Sequence, residues 1–273
     1  MRKMCLIVVA VLLASSVCFA EDIDLFILAG QSNAQGWKGD ATHYPKDPDG
    51  SDKSIQFYWV TPRHSSSGGE WTTLKAQGGR FKKGHFGLEV TFTRSLKKAG
   101  YNPAVFKYSL GSTSIAGNWR GPGDGKMYDQ MTKEFDKAVA LLRKKEHKVN
   151  IRGFIWIQGE SDAQTPAMAK AYKGRLKKLI DDLRQNVTKN SKLAVILGVD
   201  EQHGWVKKNT QVVQAQQELA KEDRNTTFTS MIGLEKADGT HLTPKGLEEY
   251  GRRIYAAYKE TTKGQQKNAP DKK

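Results

Sequence analysis

The chain has 273 residues, 38% of them hydrophobic, enough to bury one large core without requiring a second domain. Its 44 lysines and arginines exceed its 29 aspartates and glutamates, a formal net charge of +15. No nucleic-acid-binding module accompanies that excess, and for an exported protein an acidic glycan is the simpler partner. Both cysteines, Cys5 and Cys18, lie in the first twenty residues, which excludes a disulfide, a thiolate metal site or a cysteine nucleophile from the rest of the chain.

Residues 1–20 read as a secretory signal: Arg2 and Lys3, an apolar run from Cys5 to Leu13, then small residues leading to Cys18-Phe19-Ala20. The run is short for a bilayer span, so cleavage after Ala20 is expected, giving a secreted or periplasmic protein without a stable membrane anchor. Loss of Arg2 and Lys3 takes the charge from +15 to +13. The domain itself is expected over 21–262. An apolar strand starts at Ile23 and stops at Gly30, and Gln31-Ser32-Asn33-Ala34-Gln35-Gly36 follows. Residues 37–85 are polar and rich in turn signals, with a strand at 55–60. Leu88, Phe92, Leu96 and Ala99 recur at helical spacing and Gly100 provides a stop. A strand at 104–110 leads into Gly111-Ser112-Thr113-Ser114, a helix spans 127–146, and a strand at 151–157 leads into Gln158-Gly159-Glu160-Ser161-Asp162. A helix at 167–185, a strand at 193–199, a helix at 210–222, an extended piece at 226–232 and a helix at 244–259 complete the domain. Residues 263–273 read as a disordered basic tail.

Nearly continuous apolar strands alternating with helices imply an α/β fold, a three-layer α/β/α sandwich with a mostly parallel central sheet. Ligands in such sheets gather beyond the carboxyl ends of the strands, so the polar clusters at Ser32, Gly111, Gln158 and Asp200 share one rim. A serine hydroxyl there needs a base within hydrogen-bond reach, normally a histidine oriented by a third polar group. Of six histidines, His203 and His241 each stand three residues after an aspartate, Asp200 and Asp238. That spacing can bring a carboxylate to Nδ1 and leave Nε2 facing the serine, and it does not separate the two candidates.

Five blocks occur in order over about 215 residues: Gly30-Gln31-Ser32-Asn33 with Gly36, Gly87-Leu88-Glu89, Leu110-Gly111-Ser112-Thr113-Ser114, Trp156-Ile157-Gln158-Gly159-Glu160-Ser161-Asp162, and Asp238-Gly239-Thr240-His241-Leu242-Thr243-Pro244-Lys245-Gly246. Together they resemble the SGNH/GDSL-type serine hydrolases, in the carbohydrate acetylesterase branch that includes sialate O-acetylesterase-like and family 6 acetylxylan esterase-like enzymes. The resemblance implies a flavodoxin-like SGNH fold, Ser32 as nucleophile, His241 as base and then acid, and Asp238 as its orienting residue. Glu160 is the alternative acid, because in some relatives the glutamate of this block is considered the partner. Asp238 ranks first because its spacing guarantees proximity. The oxyanion donors expected are the backbone N–H groups of Ser32 and Gly111 and the side-chain amide of Gln158, which stands where the wider superfamily has asparagine. Gln31, Asn33 and Trp119 are expected to contact substrate.

No cofactor or metal is implied. The serine lacks the Gly-x-Ser-x-Gly context of an α/β-hydrolase, and Ser95-x-x-Lys98 stands without companion motifs. The reading is a serine esterase that removes acetyl groups from carbohydrates such as xylan or sialic acid. The alternatives are a short-chain lipid ester or thioester hydrolase on the same fold, or an inactive glycan-binding protein. The sequence leaves the oligomeric state open.

Overall fold

The computed structural model describes residues 20–266. Of the signal expected over 1–20, residues 1–19 lie outside the described residues, as do residues 267–273 of the tail expected over 263–273, whose first four residues are helical instead.

Strand β1 (Asp22–Gly30) is the centre of the sheet. Its alternate residues serve two cores: Ile23, Leu25, Ile27 and Ala29 enter one, Phe26 and Leu28 the other, each 0–1% exposed. A strand covered on both faces has no solvent side, which is why it reads as one apolar run. The chain continues through the short helix α1 (Ser32–Gln35), β2 (Gln56–Thr61), two-residue strands β3 (Ser65–Ser66) and β4 (Thr72–Thr73), and α2 (Glu89–Lys98). Then come β5 (Pro103–Ser109), α3 (Met127–Lys144), β6 (Lys148–Ile157), α4 (Pro166–Asp182), β7 (Ala194–Gly198), α5 (Gly204–Lys208), α6 (Gln211–Glu222), β8 (Thr226–Phe228) and α7 (Pro244–Gln266).

The sheet order is β3-β2-β5-β1-β6-β7-β8, with β4 also on β2. The six longer strands run parallel, and only β3 and β4 pair antiparallel. Helices α3, α4 and α6 supply Met131, Phe135, Tyr172, Leu176, Val212 and Leu219 to the first core. On the other face α2 and α7 supply Val90, Phe92, Leu247, Tyr250 and Ile254. This is the three-layer α/β/α sandwich expected. Because β5, β1 and β6 are adjacent and parallel, the loops after Ser109, Gly30 and Ile157 leave the same edge side by side. Helix α7 continues through Gln266 rather than stopping near 259, and α5 replaces what reads as loop. No helix among the described residues is long and apolar enough to cross a membrane.

Candidate active site

The turn that carries Ser32 is fixed by backbone geometry. Gly30 has φ +143°, and a Cβ there would lie 2.0 Å from the Ile157 carbonyl oxygen. Gly36 closes α1 in the left-handed region at φ 83° and donates its N–H to Ser32 O at 3.0 Å. A Cβ on it would lie 2.1 Å from Phe86 O. Only glycine meets both demands. Ser32 is 4% exposed, and its hydroxyl has no hydrogen-bond partner among the described residues.

His241 is brought to this turn by Asn33. The Asn33 amide donates to Thr240 O at 3.0 Å and its Oδ1 accepts from Leu242 N at 3.1 Å. The residue after the serine therefore grips the residues on both sides of the histidine. Asp238 lies against the imidazole, with Nδ1 2.9 Å from Oδ2 and 3.0 Å from Oδ1. Its Oδ1 also accepts from the backbone N–H groups of Thr240 and His241, each at 2.8 Å. Burial alone would raise the Asp238 carboxyl, but the His241 contact and the two N–H donors outweigh it and hold the group well below its ordinary range. It stays ionised. His203 does not compete for this place: its Nδ1 accepts from Trp205 N at 3.2 Å, capping α5.

The other expected site residues are placed differently. Gln158 is buried, and its Nε2 is within reach of Asp162 Oδ2 at 2.7 Å, Thr113 O at 3.0 Å and Gln31 Oε1 at 3.3 Å. An amide has two hydrogens, so none is left for an oxyanion. Asp162 completes the brace by accepting from Ile115 N and Ala116 N at 2.7 and 2.9 Å. Gln158 and Asp162 thus hold the loop that carries Gly111 rather than touching a substrate. Gln31 Oε1 faces Gln158, and both ends of the Asn33 amide are engaged with the His241 loop. Trp119 is 0% exposed, edge-on to Trp156 at 4.9 Å and Tyr108 at 5.8 Å, with Nε1 donating to Thr113 Oγ1 at 2.9 Å. It is a core residue under the Gly111 loop, not a platform for a sugar. Gly111 does lie beside Ser32, since a Cβ on it would meet Ser32 Cβ at 3.4 Å.

Glu160 makes no bond to His241. One oxygen accepts from Asp200 N at 3.1 Å and the other is buried without a partner. Asp200 in turn pairs with Lys236 at 2.5 Å, and Lys236 also donates to Gly239 O at 3.0 Å, so this chain of contacts supports the Asp238 loop from behind. Burial raises Glu160 from 4.5 to about 7, with the Asp200 charge adding to it and N–H donors and Lys236 opposing. The folded state therefore holds this proton more tightly than the unfolded chain, and stability falls as pH rises between about 4.5 and about 7. Glu160→Gln should flatten that slope, visible as similar urea midpoints at about pH 5 and about pH 8, where the wild type loses stability.

Two residues near His241 escape sequence reasoning. The Trp37 ring stacks on the imidazole at 5.9 Å, and the Arg80 guanidinium lies 3.3 Å from the centre of the same ring. Trp37 is visible in the sequence as a loop tryptophan, but nothing there says what it covers. Among the described residues no three histidines, cysteines, aspartates or glutamates are grouped to hold a metal.

A family model described as "Carbohydrate esterase, sialic acid-specific acetylesterase" matches residues 22–260. Among curated proteins, none matches the sequence. Among solved structures, the chain is similar to a protein from Arabidopsis thaliana, with TM-score 0.62 and 23% identity over 86% of this chain and 97% of that one. It is also similar to a carbohydrate acetylesterase from Xanthomonas citri, with TM-score 0.59 and 19% identity over 88% of this chain and 56% of that one. A third similar structure is NanS, with TM-score 0.61 and 14% identity over 88% and 97%. At these identities the likeness is one of fold.

Proposed function

Since the chain belongs to the carbohydrate esterase, sialic acid-specific acetylesterase family, and is thus a carboxylic ester hydrolase, we propose that it is exported and removes O-acetyl groups from sugar hydroxyls through an acetyl-enzyme on Ser32. The observation that carries this reading is the clasp of Asn33 on the residues flanking His241, because it ties the turn that carries Ser32 to the loop of a histidine backed by an ionised aspartate.

In the proposed cycle, the Ser32 hydroxyl attacks the acetyl carbonyl as His241 Nε2 takes its proton. Asp238 holds Nδ1–H, fixing the tautomer that leaves Nε2 able to accept, and its charge stabilises the imidazolium that forms. The tetrahedral oxyanion draws on the backbone N–H groups of Ser32 and Gly111. Collapse breaks the ester C–O bond, and His241 returns the proton to the departing sugar oxygen. Water then attacks the acetyl-enzyme, activated by the same nitrogen, and releases acetate. The formal charge of +13 that remains after loss of Arg2 and Lys3 suits a hydrated, acidic glycan better than a lipid ester.

The test is to mix the protein with acetylated xylan, acetylated pectin and O-acetyl sialic acid, measure acetate, and quench early for peptide mass analysis. One added acetyl group on the peptide containing Ser32, with acetate released from a sugar ester, is expected. Turnover of thioesters or lipid esters alone, or glycan binding with no acetylated peptide, would replace this reading with one of its alternatives.

A further inference from the structure

The Gly111 N–H that the tetrahedral intermediate needs is already taken. Gln35 Oε1 accepts it at 3.0 Å, the distance at which an oxyanion would sit. The three groups share one small space: a Cβ on Gly111 would lie 3.4 Å from Ser32 Cβ and 3.5 Å from Gln35 Oε1. We propose that Gln35 is a displaceable plug of the oxyanion hole, its amide oxygen holding the Gly111 donor until the acyl oxygen of the substrate takes it over. This rests on the reading of Gly111 as an oxyanion donor.

The way Gln35 is held fits a part that moves at its tip alone. Its backbone is pinned at both ends, with N–H donating to Gln31 O at 2.9 Å and O accepting from the buried Lys107 Nζ at 3.1 Å. The side chain has the single bond to Gly111 among the described residues. Its Nε2 has no hydrogen-bond partner among the described residues, so no second bond holds the amide in place. Gln158, whose donors are spent on Thr113, Asp162 and Gln31, has no comparable freedom. A neutral plug costs little to displace, yet it keeps a buried N–H satisfied between turnovers.

A plug and a structural brace make opposite predictions. Gln35→Met keeps the length of the side chain and removes the acceptor, so kcat/KM for p-nitrophenyl acetate should rise about threefold to tenfold, the worth of one neutral hydrogen bond. Gln35→Glu should hold Gly111 with a charge-assisted bond and repel the oxyanion. Its kcat/KM should fall about tenfold or more, with the ratio to wild type recovering as pH is lowered through the carboxyl range. If Gln35→Met lowers kcat/KM, or leaves it unchanged, the residue is a brace and the proposal is wrong. Should Gln35→Met fail to fold, the pH dependence of Gln35→Glu decides alone: a loss that is the same at every pH rejects the plug. An acetylated Ser32 peptide with brace-like Gln35 variants overturns only this inference, whereas no Ser32 acetylation overturns the reading beneath it.

Discussion

Asp238→Asn should lower kcat for acetate release about a thousandfold to ten-thousandfold, while Glu160→Gln should leave it within about tenfold of wild type. The reason lies in how Asp238 is held. Its Oδ1 accepts from Thr240 N and His241 N at 2.8 Å, and its Oδ2 sits 2.9 Å from His241 Nδ1. In the asparagine the carbonyl oxygen must stay with the two backbone donors, which turns the amide NH2 toward Nδ1. Nδ1 would then have to accept, the proton would move to Nε2, and that nitrogen could no longer take a proton, with the loop geometry intact. Glu160, bonded to Asp200 N and remote from the imidazole contacts, has no such lever. Steady-state kinetics of the two variants, with melting curves to confirm folding, checks the assignment. A collapse of kcat in Glu160→Gln with Asp238→Asn near wild type would transfer the acid role to Glu160.

The parts of this arrangement that were legible in the sequence are those governed by short-range or periodic rules. Strands β1 and β7 and the second half of β6, residues 153–157, are buried on both faces and so read as apolar runs. The Asp238–His241 contact is permitted by a three-residue spacing but not dictated by it, since at the same spacing His203 Nδ1 accepts from Trp205 N and Asp200 pairs with Lys236 instead. Helices α1 and α5 escaped because four and five residues are too few to display a period. The direction of a buried amide is set by partners the sequence does not point out, so Gln158 looks like an oxyanion donor and Asn33 like a substrate ligand until Asp162, Thr113, Thr240 and Leu242 are seen around them. Trp119 misleads for a related reason: a loop residue reads as exposed, yet the 113–119 loop folds over the aromatic core and takes the indole with it. Gln35 had no signal at all, since its importance is a contact with Gly111, seventy-six positions along the chain.

Lys107→Met should destabilise the fold by about 3–5 kcal/mol, a fall in melting temperature of roughly 10 °C, and should also impair catalysis. Lys107 is 0% exposed in a strand whose neighbours are all buried, and burial pushes its ammonium below its ordinary range against the opposing pull of Glu89. Its Nζ donates to Glu89 Oε2 at 2.7 Å and to Gln35 O at 3.1 Å. Glu89 Oε1 accepts from Gly87 N at 2.8 Å and Gln77 Nε2 at 3.0 Å. Removing the lysine leaves a buried carboxylate without its counter-ion, and it unties the carbonyl at the end of α1, the turn that begins with Ser32. Adding Glu89→Gln removes the stranded charge while keeping an acceptor for Gly87 and Gln77, so the double variant should recover most of the stability, measured by urea unfolding. It should not recover kcat/KM to the same degree, because Gln35 O still lacks its donor. If activity returned in step with stability, the pair would be a core feature alone. A lag of activity behind stability would show that Gly87-Leu88-Glu89 acts on catalysis from behind, through Lys107, by fixing the turn that begins with Ser32.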